Sequence, residues 1–420
     1  MKFRFIHTAD LHIDSPLRGL AANDLEVHAR LQAATRSAFE NVVDIAIEQQ
    51  VAFVLIAGDL FDGSWRDMKT GQWTAAQFRR LERESINVYY IRGNHDAESV
   101  VRKTIKWPDN VCELSVKKPE TRIIEQHQVA IHGQGFKDRE LLDDIAANYP
   151  EAVPGHFNVA MLHTSLTGSE GHDTYAPTNI ETLKSKGYDY WALGHIHIRS
   201  EIPICEEPYI AYSGNTQGRH IKETGAKGCN VISVENGTIT TVDFHETDLL
   251  RWHEISIELA EEDDLDSALD KARRELAHTH SQSNGRFSAV RLLLRGRCQA
   301  HRQLGDSLMR SDIMLRIHDL AASIDEELWI EKIKIDTKPV LSLEQRRQSS
   351  DMLGQLLHEV ELVRSDADGV SELTQMIQPV LDKCESAGAK LQFETDTEDQ
   401  IRQWLDQAEL LLLTHLEDAS

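Results

Sequence analysis

Five short apolar runs in this chain break off into carboxylate, imidazole or carboxamide side chains. That repeated ending constrains the fold more than any other feature. FRFIHT (3–8) is followed by Asp10 and His12, and VAFVLIAG (51–58) by Asp59. VYYIRG (88–93) gives way to Asn94, His95 and Asp96, NVAML (158–162) to His163, and YDYWALG (188–194) to His195 and His197. Runs rich in β-branched and aromatic residues read as buried strands. In an open α/β sheet the carboxyl ends of the strands line one crevice, so the five endings can meet in one place. Packing does not explain them, because unpaired buried acids and imidazoles are badly desolvated.

Taken singly, each ending has a bland reading. Gly93, Asn94 and Asp96 suit a turn, and a lone DxH such as Asp10–His12 is expected about once by chance in a chain of this size. GDLFD (58–62) says more, and GNHD (93–96) and GHIH (194–197) behind apolar strands say more again. In combination they point to a metal centre. A mixed Asp, Asn and His set suits Mn²⁺, Fe²⁺ or Zn²⁺, with Mn²⁺ the first expectation and Mg²⁺ a further alternative, and the absence of Cys argues against a structural zinc site. Asp10, His12, Asp59, Asn94, His163, His195 and His197 are more ligands than one ion uses. Two ions sharing a carboxylate would use them, with Asp59 as the bridge. His95 is then left over to protonate a leaving oxygen or stabilise the transition state. Asp96 is expected to orient it.

The rest of the chain gives these strands a setting. Through residue 249, strands alternate with helical spacing at 25–50 and 72–84, and later come VCEL, TRIIEQ, VAIHGQ, YIAYSG and NVISVE, with an Asn-Gly hairpin signal at 235–238. The rhythm predicts an α/β (α+β) fold in which two packed sheets are flanked by helices. Residues 250–337 read as a small α/β capping domain, with strands HEISIEL, SAVRLLLRG and ELWIEKIKID and helices at 264–277 and 303–322. From 338 to 420 the reading is helical, over 343–363, 370–384 and 398–416.

Composition narrows the function. The net charge is −24, with 25 basic and 35 acidic residues in 1–249 and 20 and 34 beyond, so the acidity is spread. This argues against a generally sticky nucleic-acid surface, and an anionic substrate needs metal ions or a local basic patch. No apolar run of membrane-spanning length occurs, and MKFRFIHTAD is too short and polar for a signal peptide. Five scattered cysteines without a CxxC pair fit a reducing, cytoplasmic setting.

Asp10-Leu-His12, GD59LFD, GN94HD, His163 and GH195IH197 together resemble the calcineurin-like metallophosphoesterases over about residues 1–245. The resemblance implies a two-sheet sandwich, one metal at Asp10, His12, Asp59 and His197, a second at Asp59, Asn94, His163 and His195, and His95 as the catalytic histidine. IHTADLH, GDLFD and SGNTQGRHIKETGAKG (213–228) look like the SbcD and YhaO-type DNA-repair nucleases, kin of the Mre nuclease. That branch implies an SbcC-like coiled-coil ABC-type ATPase partner, DNA as substrate and a homodimer. SbcD-like chains often carry Leu-Gly after DxH, where this chain has Ile13-Asp14.

The remaining candidates are weaker. Arg219 and His220, in a Gly-rich loop, could bind substrate phosphate, since Arg forks suit phosphate oxygens. His7 could orient a ligand, His132 reads as structural, and His172, His278 and His280 as solvated loop residues. In the last helix Ile401, Trp404, Leu405, Ala408, Leu411, Leu412 and Leu416 form a stripe, either for a partner or for the tail's own packing. A phosphodiesterase for a small substrate such as a cyclic nucleotide, and a scaffold regulating an ATPase, are the alternatives to a DNA exo/endonuclease subunit.

Overall fold

The computed structural model describes residues 2–15, 25–62, 68–98, 105–139, 141–166, 176–340, 347–350, 352–386 and 397–416. Its strands, in chain order, are β1 (Lys2–Thr8), β2 (Phe53–Ala57), β3 (Asn87–Ile91), β4 (Val111–Glu113), β5 (Glu120–Ile124), β6 (Val129–Gly133), β7 (Phe157–His163), β8 (Tyr190–Gly194), β9 (Tyr209–Tyr212), β10 (Gly228–Glu235), β11 (Thr238–Glu246), β12 (Leu250–Leu259), β13 (Phe287–Arg297) and β14 (Leu328–Lys338). The helices that bear on the site are α1 (Leu25–Glu48), α2 (Met68–Arg83), α3 (Asn94–Glu98) and α4 (Ile180–Ser185).

Two sheets make the sandwich expected from the sequence. One runs β11-β10-β1-β2-β3-β4 and the other β5-β6-β7-β8-β9. Strands β1 to β4 are mutually parallel, as are β6 to β9, so each sheet gathers its carboxyl ends at one edge. The period of two sorts the side chains. Phe5, Phe53, Leu55 and Ile91 meet Val159, Met161, Tyr190 and Ala192 between the sheets. Their neighbours Ile6, Val54, Ile56 and Tyr90 face Phe39 and Val42 of α1 and Phe78 and Leu81 of α2. On the far side of the second sheet, Leu162, Trp191 and Leu193 pack with Leu183 of α4. The Asn236-Gly237 turn, both residues at positive φ, joins β10 to β11 as the hairpin signal predicts.

A third sheet, ordered β12-β13-β14, follows. The described chain divides into two compact units, Met1–Ile255 with Arg273–Leu293 and His318–Lys334, and Ser256–Ala272 with Leu294–Ile317 and Ile335–Ser420. The helix expected at 264–277 continues to Ser281, which puts His278 and His280 on a helix. His280 is not solvated there: its Nδ1 lies 3.0 Å from the buried Ser288 hydroxyl. His172 lies outside the described residues. The helix expected at 303–322 breaks into His301–Gly305 and Ser307–Ile324. In the second unit, helices Met352–Ser365, Ala367–Ser386 and Thr397–Leu416 contact one another. Of the terminal stripe, Ile401 is buried, Trp404 and Leu405 are partly so and Ala408 is exposed. The side chains of Leu411, Leu412 and Leu416 lie outside the described residues. No helix among the described residues is long and apolar enough to cross a membrane.

Phe5 shows how much the inter-sheet layer carries. Its ring lies 5.0 Å from Phe53, stacked, and 5.3 Å from Tyr190, edge-on. Phe5→Ala is expected to destabilise the fold by about 3–5 kcal/mol, read as a lower urea midpoint. An unchanged midpoint would contradict this packing.

Candidate metal centre

Each ending leaves its strand by a sharp turn. The loop after β1 runs beside the loop after β2, with Asp10, His12 and Ile13 N–H groups donating to Gly58, Asp59 and Leu60 carbonyls at 3.0–3.1 Å. To turn the side chains inward, Asp10, His12, Asp59 and His195 adopt positive φ (51°, 42°, 52° and 99°). Such conformations cost non-glycine residues roughly 1–3 kcal/mol each and gather at functional sites. Gly93 leaves room for this arrangement, since a Cβ there would sit 2.2 Å from Asp59 Oδ1.

The seven expected ligands converge in the first unit. Asp59 is 1% exposed. Its Oδ1 accepts the His95 N–H at 2.9 Å, while its Oδ2 lies 3.7 Å from His12 Nε2 and 3.4 Å from His163 Nε2. His163 is held from behind by the Ala57 carbonyl at 2.9 Å, and its Nε2 is 2.9 Å from Asn94 Oδ1. On the other side, His12 Nε2 and His197 Nε2 are 3.3 Å apart, and His197 Nε2 is 3.8 Å from Asp10 Oδ1. Asp10 accepts the His195 N–H at 3.0 Å, and the His195 ring lies 5.3 Å from that of His163. Three clusters with ligand-type geometry emerge among the described residues, Asp10–His12–His197, Asp10–Asp59–His163 and His12–Asp62–His95. Asp10 belongs to the first two, and Asp59 faces a histidine of each of those.

This donor set fits divalent cations. It is all oxygen and imidazole nitrogen, without thiol. The buried His12 Nδ1 has no hydrogen-bond partner among the described residues. The buried acids and imidazoles offset one another's charge. Burial works against a charged His163, but the Asp59 carboxylate outweighs it and lifts the imidazole to about 9. Burial would likewise raise Asp59, and the surrounding imidazoles, His163 foremost, hold it well below the usual carboxylate range instead.

Sequence comparison agrees with the geometry. A model of the calcineurin-like phosphoesterases matches residues 3–199, and one of the metallophosphoesterase YhaO middle domain matches 252–338. Metallophosphoesterase YhaO of Bacillus subtilis is 38% identical over 295 residues, 70% of this chain and 71% of the relative. The chain belongs to the calcineurin-like metallophosphoesterases. The DNA double-strand break repair protein Mre11 of Methanopyrus kandleri is 23% identical over 276 residues, 59% of this chain and 58% of its own. A dimetal phosphatase structure from Danio rerio aligns with a TM-score of 0.34 at 11% identity, over 56% of this chain and 93% of its own, too distant to bear on the argument.

In this metallophosphoesterase the partner of His95 differs from expectation. Asp96 does not steer it. The Asp96 carboxylate accepts N–H groups of Leu60 (3.2 Å), Phe61 (3.0 Å) and Gly93 (3.1 Å), tying α3 to the loop after β2. Burial, with Asp59 nearby, pushes its carboxyl up to about 6. Asp62, the second acid of GDLFD, takes the expected role, with Oδ1 2.8 Å from His95 Nδ1 and Oδ2 accepting the Ser15 hydroxyl at 2.7 Å. Burial opposes a charged His95, yet the hydrogen bond to Asp62 and the charge of Asp59 raise its pKa. The spacing of the two acids in GDLFD was the available signal.

Arg219 also differs from a free phosphate clamp. Its side chain is 14% exposed, with Nη2 3.3 Å from Glu223 Oε1 and Nη1 3.3 Å from the Ser15 hydroxyl. His220, at 36%, is the more exposed of the pair, with Nε2 3.4 Å from Glu223. His7 reaches the second sheet, 2.9 Å from the Tyr190 hydroxyl and 3.1 Å from the Leu193 carbonyl. His132 is structural, held between Thr121 and Asn158. Asp14 accepts both Arg36 contacts at 2.6 Å, which anchors the loop after β1 to α1. That ion pair is the local counterpart of the Ile13-Asp14 departure.

Gly93→Ala is expected to displace Asp59 and weaken Mn²⁺ binding by roughly 10–100-fold, the scale of losing an orienting partner. Calorimetric titration of the folded variant checks this, and wild-type affinity would contradict the placement of Asp59.

Proposed function

We propose that this metallophosphoesterase hydrolyses phosphodiesters in DNA with two divalent cations, Mn²⁺ foremost, as the nuclease subunit of a DNA-repair assembly with an SbcC-like coiled-coil ABC-type ATPase. The observation that carries the dimetal reading is Asp59 Oδ2, which faces His163 at 3.4 Å and His12 at 3.7 Å. The proposed ligands are Asp10, His12, Asp59 and His197 on one side, and Asp59, Asn94, His163 and His195 on the other. Two cations bound at such a site supply water activation and charge neutralisation on the phosphoryl oxygens.

The protein's own residues supply the proton. Asp62 fixes the His95 ring through Nδ1 at 2.8 Å, which leaves Nε2 as the donor to the leaving oxygen. His220, partly exposed with Nε2 3.4 Å from Glu223, is the proposed hydrogen-bonding contact to the substrate phosphate. The DNA substrate is supported by the resemblance to double-strand break repair proteins and by the chain beyond the catalytic fold. Residues 250–337 serve as a capping domain and 338–420 as a helical region for docking the ATPase, with homodimerisation expected on the same footing. The four cysteines whose side chains are described are unpaired, in keeping with a reducing cytoplasm. A small phosphodiester such as a cyclic nucleotide is the second reading, favoured by the net charge of −24.

Mn²⁺-loaded protein should cut linear duplex or single-stranded DNA, and DNA binding should weaken steeply as salt rises. Cleavage of a chromogenic phosphodiester alone, even beside the ATPase, would select the small-substrate reading. His95→Ala is expected to lower kcat by about 10²–10⁴-fold with the Mn²⁺ stoichiometry unchanged. Full activity in that variant would remove His95 from the proton step.

A further inference from the structure

Glu223 plays no part in the ligand set, yet Asn215, His197, Arg219 and His220 all converge on its carboxylate. It is buried in the loop after β9, and its two oxygens divide the work. Oε2 accepts the Arg219 backbone N–H at 2.7 Å and the Asn215 carboxamide at 2.9 Å, which fixes the carboxylate plane. Oε1 lies 2.6 Å from His197 Nδ1 and 3.3 Å from Arg219 Nη2. A nitrogen that close to a carboxylate oxygen carries the proton. This bond therefore assigns the His197 tautomer, with Nδ1 protonated and the Nε2 lone pair turned toward Asp10 and His12. The 3.2 Å approach of Arg219 Nη2 to His197 Nδ1 follows from both donors sharing one oxygen. The backbone of His197 is held as well, its carbonyl accepting the Lys227 ammonium at 3.1 Å.

We propose that Glu223 is a positioning residue that fixes the tautomer and ring direction of His197, with Arg219 holding the carboxylate in place, and so sets the affinity of the Asp10–His12–His197 cluster for its cation. The inference rests on the dimetal reading and goes beyond it, because it makes one of the two sites depend on a residue that touches neither ion. A carboxylate behind a ligating imidazole raises its basicity and fixes its direction. It also reassigns Arg219. Pointed at Glu223 and Ser15, the guanidinium acts on the site from behind His197.

The test is Mn²⁺ titration of the metal-free full chain by calorimetry, with no substrate present. Wild type is expected to bind two ions. Glu223→Ala should weaken one of the two sites by roughly 10–100-fold and leave the other within twofold. Glu223→Gln, which keeps an acceptor oxygen without the charge, should fall between. In the His197→Ala background, Glu223→Ala should cause no further loss. Equal weakening of both sites in the isosteric Glu223→Gln variant would reduce Glu223 to a structural role and overturn the proposal. So would a further loss on the His197→Ala background, or wild-type binding by Glu223→Ala. A wild-type chain that binds fewer than two Mn²⁺ would overturn the dimetal reading itself and this inference with it.

Discussion

Asp59 is a charged carboxylate with 1% of its surface exposed, and the surrounding structure depends on keeping it so. A buried anion is tolerated only when charge and hydrogen bonds compensate it. Here one oxygen takes the His95 N–H and the other faces two imidazoles. Those imidazoles arrive from different sheets, since His12 follows β1 and His163 ends β7. The inter-sheet layer of Phe5, Phe53, Met161 and Tyr190 therefore does more than bury apolar area: it sets the separation at which the two ligand clusters meet.

The left-handed backbone at Asp10, His12, Asp59 and His195 belongs to the same constraint. A strand delivers its side chains above and below the sheet, and an ending that must point along the strand axis has to leave the allowed β region. Relaxing any one of these residues would regain local stability and move a ligand. The strain is held by the parallel run of the loops after β1 and β2, and by the Asp14–Arg36 ion pair that anchors the first of them to α1.

Beside Asp10, four further acids crowd this edge, and their surroundings separate their roles. Asp59 faces both clusters. Asp96, enclosed by three backbone N–H groups, closes a turn. Asp62, beside a hydroxyl and an imidazole, orients His95. Glu223, pinned by Asn215 and the Arg219 backbone, stands behind His197. Charge alone does not distinguish them. What does is which donors reach each carboxylate, and from which side.

The sequence by itself determined the strands, the two-sheet class and the convergence of Asp10, His12, Asp59, Asn94, His163, His195 and His197 on one edge. Those follow from local information: apolar runs of strand length, and the rule that parallel strands present their carboxyl ends together. The place of His95 at the same edge, beside Asn94, was legible for the same reason. Its partner was not. Asp96 is its neighbour in the chain, but Asp62 is its neighbour in space, because α3 turns the Asp96 side chain back onto the backbone after β2. The pairing of His197 with Glu223 and the contacts of Arg219 with Glu223 and Ser15 were decided in the same way. A hydrogen bond forms over about 3 Å between groups on different loops, and the distance between loops is fixed by register and packing, which no single stretch of sequence contains.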